Sequence, residues 1–321
     1  MRPLLTTLAA ALLFGGCSEF VENPEEPKTT ETKNNAVNVN LQYSMSESDW
    51  GADARKTPLT RATLEDSKVT RITFSVFDSK GSAVQVFSSE GSKSNTLSQT
   101  SSDNSFGTIP SFRLSPGTYS FVAVAYKASS SESTSKATIT SPTEASIDEQ
   151  TLYETYSCVK EVTVNNGDYS VTNVSMTLQL CVSRLTLILS GDVPADVKYF
   201  KISITPTEIT AGTTVGTLES LTFNPTTGLA AKDCKFEKEW KYTGADPSFS
   251  LTSCFASSPK TTNITISALD ENKKTLYTRT LENITMTRAK ILKITTYLFS
   301  KSSNVSLDFE DWQTVNGGTI N

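Results

Sequence analysis

The stretch VSMTLQLCVSRLTLILSGDVP, residues 174–194, decides how the chain folds. Leu178, Leu180 and Val182 are apolar at even positions, whereas Leu185, Leu187 and Leu189 are apolar at odd ones. Successive side chains of an extended strand point to opposite faces, so a one-residue change of phase moves the apolar set from one face to the other. One strand does that only at a bulge or where it leaves one core for another. The phase changes near Ser183 and Arg184. The stretch therefore reads as the last strand of one β-sandwich running almost directly into the first strand of the next.

The pattern on either side agrees. Val37, Val39, Leu41 and Tyr43 alternate with polar residues, as do Ile72, Phe74 and Val76; further runs lie at 84–87, 111–114 and 118–127, where TYSFVAVAY is apolar on both faces. Turn residues separate them, at Asp78 to Gly81 and at Ser115-Pro116-Gly117. SSSESTSK, residues 129–136, reads as a solvated loop. Ser141-Pro142-Thr143-Glu144 has the form of a helix N-cap, a first-turn proline and a capping-box acid, which predicts one short helix ending before Val159. Past residue 183, strands are expected near 199–204, 218–223, 235–242, 249–255, 263–268, 274–280 and 290–299. A last alternation, Val305, Leu307 and Phe309, precedes Trp312. The fold class is all-β, with two tandem β-sandwiches at 37–182 and 183–321.

Residues 1–16 read as an export signal: Arg2, then an apolar run from Leu4 to Phe14, then small residues before a cysteine. Leu13-Phe14-Gly15-Gly16 ahead of Cys17 resembles a lipoprotein processing box, which makes Cys17 the expected lipidated residue and predicts a lipid-anchored place at the outer membrane and cell surface. Residues 17–36, with Glu19, Glu22, Glu25, Glu26 and Glu31, read as an acidic tether.

Composition removes several function classes. Net charge is −5, from 29 basic and 34 acidic residues, and no basic stripe is present, so nucleic acid is not an expected partner. The chain has no histidine, which removes Ser/His and Cys/His nucleophiles and the commonest zinc sites. No Gly-rich phosphate loop or calcium loop appears. No metal, cofactor or catalytic residue is expected, and Asp308, Glu310 and Asp311 read as outward acids of an amphipathic strand rather than a general acid/base pair. Cys158, Cys181, Cys234 and Cys254 allow three disulfide pairings or buried free thiols.

An export signal with a lipid cysteine, an acidic tether, an early strand, an Arg-containing segment, VTRITFSVFDSKG at 69–81, LSPGTYSFVAVAY at 114–126, the central strand at 178–189 and a terminal LDFEDW at 307–312 follow one another in an order that resembles the fimbrillin family of Bacteroidota, the FimA/FimB and Mfa-type subunits of type V pili. The resemblance implies two transthyretin-like sandwiches and assembly by strand donation, with other fimbrial subunits, the outer membrane and surface ligands of host or bacterium as partners. A sandwich lacking one strand exposes an apolar groove and unpaired backbone groups, and a neighbour's strand satisfies both. The resemblance further implies that stalk subunits lose their first strand to an Arg-specific protease, whereas anchor subunits keep it and stay lipidated. Here the displaced strand would carry Val37, Val39, Leu41 and Tyr43, and the cut would follow Arg61 or Arg55. The donor strand would carry Val305, Leu307 and Phe309. The role is thus stalk, tip, accessory or anchor. The rival class is a glycan-binding surface lipoprotein that stacks sugars on Trp50, Trp240 or Trp312, with Trp240 in FEKEWKY as the best platform.

Overall fold

The computed structural model describes residues 37–46, 56–58, 69–89, 92–130, 134–148, 153–165, 171–208, 216–217, 221–230, 234–244, 247–253, 261–299 and 304–311. Among the described residues the chain is all-β, without a helix. The first half contains β1 (Val37–Ser46), β2 (Lys56–Pro58), β3 (Arg71–Asp78), β4 (Phe87–Ser89), β5 (Ser92–Ser94), β6 (Thr96–Thr100), β7 (Phe112–Leu114), β8 (Gly117–Tyr126), β9 (Ala137–Ser141), β10 (Glu144–Ile147), β11 (Thr155–Val164) and β12 (Val171–Leu180). The second half contains β13 (Ser183–Ser190), β14 (Tyr199–Pro206), β15 (Gly216–Thr217), β16 (Leu221–Asn224), β17 (Leu229–Ala230), β18 (Cys234–Lys241), β19 (Ser248–Ser253), β20 (Thr262–Leu269), β21 (Thr275–Ile284), β22 (Lys290–Tyr297) and β23 (Val305–Asp311).

The change of phase at the centre is real. Val174, Met176, Leu178 and Leu180 are buried on β12; Cys181, Val182 and Ser183 are buried one after another; then Leu185, Leu187 and Leu189 are buried on β13. Only Cys181 and Val182 separate the two strands.

In the first half eight strands form one sheet in the order β2-β1-β12-β11-β8-β3-β6, with β7 also on β1, while β4 and β5 pair with each other. The β11–β12 pairing lasts for only Tyr156↔Leu180 and Ser157↔Gln179, so the sheet divides there into two leaves. One face of β3 and β8 packs Phe74 and Phe121 against Phe87 and Phe112, ring centroids 5.6–6.1 Å apart, in the tilted and edge-on geometries that aromatic pairs favour. The other face is buried too. Thr73, Ser75, Val122, Val124, Thr155 and Ser157 all lie within it, which explains why FVAVAY is apolar on both faces.

In the second half the sheet β19-β13-β22-β23 stands with β15-β18-β14-β20-β21. Leu185, Leu187, Leu292 and Ile294 of the first sheet and Phe200, Ile202, Ile264 and Ile266 of the second are 0–1 % exposed and form the core.

Two expectations need correcting. The predicted helix at Ser141 to Glu144 is a hairpin: Pro142 and Thr143 turn β9 into β10, the Thr143 N–H donates to Ser141 Oγ (3.2 Å), and the Thr140 hydroxyl donates to the Glu144 carbonyl (3.1 Å). A serine oxygen that can cap a helix can equally close a turn, and here the period-two burial of Ala137, Ile139, Ala145 and Ile147 prevails. The run at 84–86 is not a strand; the Val84 N–H donates to the Val76 carbonyl across a turn, and pairing restarts at Phe87.

Candidate functional site

The strands singled out for exchange lie in opposite settings. β1 runs parallel to β12 for nine consecutive register pairs, Asn38↔Val171 to Ser46↔Gln179. Its other edge is taken too: β7 pairs with its start at Val37↔Leu114, Asn38↔Arg113 and Val39↔Phe112, and β2 pairs with its end at Ser44↔Pro58, Met45↔Thr57 and Ser46↔Lys56. Val39 is fully buried. Leu41 stands opposite Val174 and Tyr43 opposite Met176 on the β12 side, in the stretch of β1 between its β7 and β2 pairings, and Val37 pairs with β7 alone. That 112–114 forms a strand was legible in FRL, though not its pairing with β1; β2 was not legible at all, because Lys56-Thr57-Pro58 carries turn chemistry.

β23 is an edge. It pairs antiparallel with β22 from Lys290↔Asp311 to Thr296↔Val305, and no described strand lies on its far side. Directly opposed residues of an antiparallel pair share a face. Phe309 stands opposite Leu292, Leu307 opposite Ile294 and Val305 opposite Thr296, so these apolar residues continue the plane of the buried core face. The core partners are 0–1 % exposed, yet Val305 is 38 %, Leu307 45 % and Phe309 55 % exposed. The period alone predicts a half-buried strand; among the described residues nothing covers this apolar face. On the opposite face Lys293 stands across from Asp308, an opposite-charge pairing that favours this register. Where β22 meets Val305, the buried Thr296 hydroxyl has no hydrogen-bond partner. A buried hydroxyl without a partner costs about 1–3 kcal/mol, so the junction is weak.

Cys17, Arg55, Arg61, Trp50, Trp312 and Cys254 lie outside the described residues. Cys181 is a fully buried thiol whose Sγ donates to the Thr155 carbonyl at 3.2 Å, and Cys158 is a half-buried thiol on β11. Burial pushes the Cys181 thiol up to about 12 and that of Cys158 up to about 11. Thiols kept neutral in this way are packing groups rather than nucleophiles. Cys234 opens β18. Asp308 is exposed and accepts from the Ser306 hydroxyl (3.2 Å), as suits an outward acid. Trp240 is not a platform: its ring stacks between Phe200 (5.8 Å, 27°) and Phe249 (5.6 Å, 23°), and it joins the two sheets of the second half.

The family described as fimbrillin-A associated anchor proteins Mfa1 and Mfa2 matches residues 28–317. Among solved structures, the chain is similar to the fimbrial anchor protein Mfa2 from Porphyromonas gingivalis, at 12 % identity over 88 % of this chain and 99 % of that one, with a TM-score of 0.47. It is also similar to a fimbrial assembly protein from Parabacteroides distasonis, at 11 % identity over 86 % and 96 %, with a TM-score of 0.39. A third is the C-terminally truncated tip fimbrial protein Mfa3 from Porphyromonas gingivalis, at 10 % identity over 86 % and 100 %, with a TM-score of 0.38. No curated protein matches the chain.

Proposed function

The chain belongs to the fimbrillin-A associated anchor proteins, a family of fimbrial subunits of the cell surface, and from that premise we propose that it is an anchor-type subunit. In this reading a lipid on Cys17 holds the chain at the outer membrane, β1 stays in place, and the edge at β23 joins another subunit by strand pairing. The observation that carries it is the contrast between a first strand paired with β12 along one edge and with β7 and β2 at the two ends of the other, and a β23 that, among the described residues, has one edge and an apolar face unoccupied. Joining a partner strand at β23 adds a main-chain ladder and buries three side chains already aligned with the core. Full burial of such a side chain is worth about 1.5–3 kcal/mol before ordering costs, and each here has roughly half of that to gain.

A stalk role would require β1 to leave. A cut after Arg61 would free β1 together with its hairpin partner β2, whereas a cut after Arg55 would leave β2 behind on the sandwich. Arg61 is therefore the more productive of the two candidate sites. The glycan-binding alternative loses its best platform once Trp240 is committed to packing.

N-terminal sequencing and mass analysis of the protein isolated from cell-surface fimbriae tests the reading. An acylated Cys17 as the first residue is the expected result. A mature chain beginning at Ala62 would replace the anchor role with that of a processed stalk subunit.

A further inference from the structure

The second sheet face of the first half is covered partly by the second half. Hairpin β9–β10 continues through Ala145↔Phe223, Ser146↔Thr222 and Ile147↔Leu221 into β16, and β16 turns into β17 through Phe223↔Ala230 and Asn224↔Leu229, giving one four-stranded sheet that draws on both halves. Asn224 closes that turn, its side-chain oxygen accepting from the Thr226 and Thr227 N–H groups at 2.9 and 3.2 Å.

The segment is fastened at several independent points. Phe223 is fully buried, as are its neighbours Ala145 and Ile147. The Ser157 hydroxyl, buried on β11, donates to the Pro225 carbonyl at 2.9 Å, and the Thr226 hydroxyl donates to the Pro142 carbonyl at 3.0 Å. Gly228 sits at φ +66° with its backbone so close to Cys181 that an added Cβ would stand 2.8 Å from the cysteine Cβ and 3.0 Å from Arg288 Nη1. Only glycine fits both the left-handed conformation and that space.

We infer that residues 221–230 are a strap by which the second half completes the first, and that the two halves unfold as one unit because of it. Ser157 and Thr155 are fully buried, and the strap supplies the acceptor that makes burying Ser157 tolerable. Without it, Ala145, Ile147 and Ser157 face water and the first sandwich lacks part of a layer. The inference rests on strand pairing within the chain and is independent of the fimbrial reading.

Differential scanning calorimetry of the full chain carrying Phe223→Ala or Gly228→Val tests this. The unaltered chain is expected to melt in one transition, and each variant in two, the first-half transition shifted down by at least about 5 °C. A single transition in both variants, at whatever temperature, overturns the inference. Should the variants fail to fold, native-state hydrogen exchange on the unaltered chain decides. Amides of β8, β16 and β22 should open in one shared denaturant-dependent step, and earlier opening of β8 than of β22 would contradict the strap.

Discussion

β1 and β23 are alternating strands of ten and seven residues near opposite ends of the same chain, and a reading of period alone treats them alike. Their settings differ in two respects. Among the described residues β1 has neighbours on both edges and a fully buried Val39, whereas β23 has a neighbour on one edge and apolar side chains that are 38–55 % exposed. Removing β1 would leave two unpaired ladders and a hole; adding a strand to β23 requires no prior removal. The difference teaches that the energetic cost of exchange is set by where a strand sits in its sheet rather than by its own sequence.

The sharpest test of the contrast is a charge placed in each strand. Val39→Asp buries an unpaired carboxylate and should cost more than about 4 kcal/mol in urea denaturation, enough to leave little folded protein. Leu307→Asp should cost less than about 1 kcal/mol, because the site is already wet. Equal losses would break the comparison. Removing residues 304–321 is the next largest expected effect: a loss of about 2 kcal/mol or less with a cooperative transition retained, since Val305, Leu307 and Phe309 are 38–55 % exposed and the core face of β22 is held by β13.

A third effect separates the two strands by pH. Cys181 follows directly on β12, the strand that holds β1, and its thiol is raised from the ordinary 9.0 to about 12 by burial. The folded state then keeps a proton that the unfolded chain gives up above pH 9. Stability is therefore complete below that pH and falls as pH rises through the window from 9 to 12. At pH 10 this thiol should lower the urea midpoint by an amount worth about 1 kcal/mol, and because Cys158, raised to about 11, adds a similar loss, Cys181→Ala should remove roughly half of the slope there. Smallest is Thr296→Val at the root of β23. It removes a buried hydroxyl that lacks a partner and should stabilise the chain by somewhat under about 1 kcal/mol, read as a rise in Tm.

Much of the architecture was legible in the sequence. The alternation that ends at Leu180 and resumes at Leu185 marked the change of buried face, and the run from Leu180 to Ser183, buried at every position, is where the phase slips. The helix expected at Ser141 was misread because its capping motif also closes a hairpin, while the alternation of Ala137, Ile139, Ala145 and Ile147 was the stronger signal. The pairing of Ala145 with Phe223 left no trace in the sequence, since strands far apart in the chain choose partners by the shape of the whole. At the site, the apolar side of β23 could be read from Val305, Leu307 and Phe309. Its exposure could not, because that depends on the absence of a covering strand opposite.

The claim that β23 is the joining margin is tested most directly by photo-crosslinking in cells that carry fimbriae, with a photoreactive residue in place of Leu307 and, in a matched strain, in place of Val39. The account predicts adducts with another fimbrial subunit from position 307 and only intramolecular products from position 39. Intersubunit adducts from position 39, with none from 307, would contradict it.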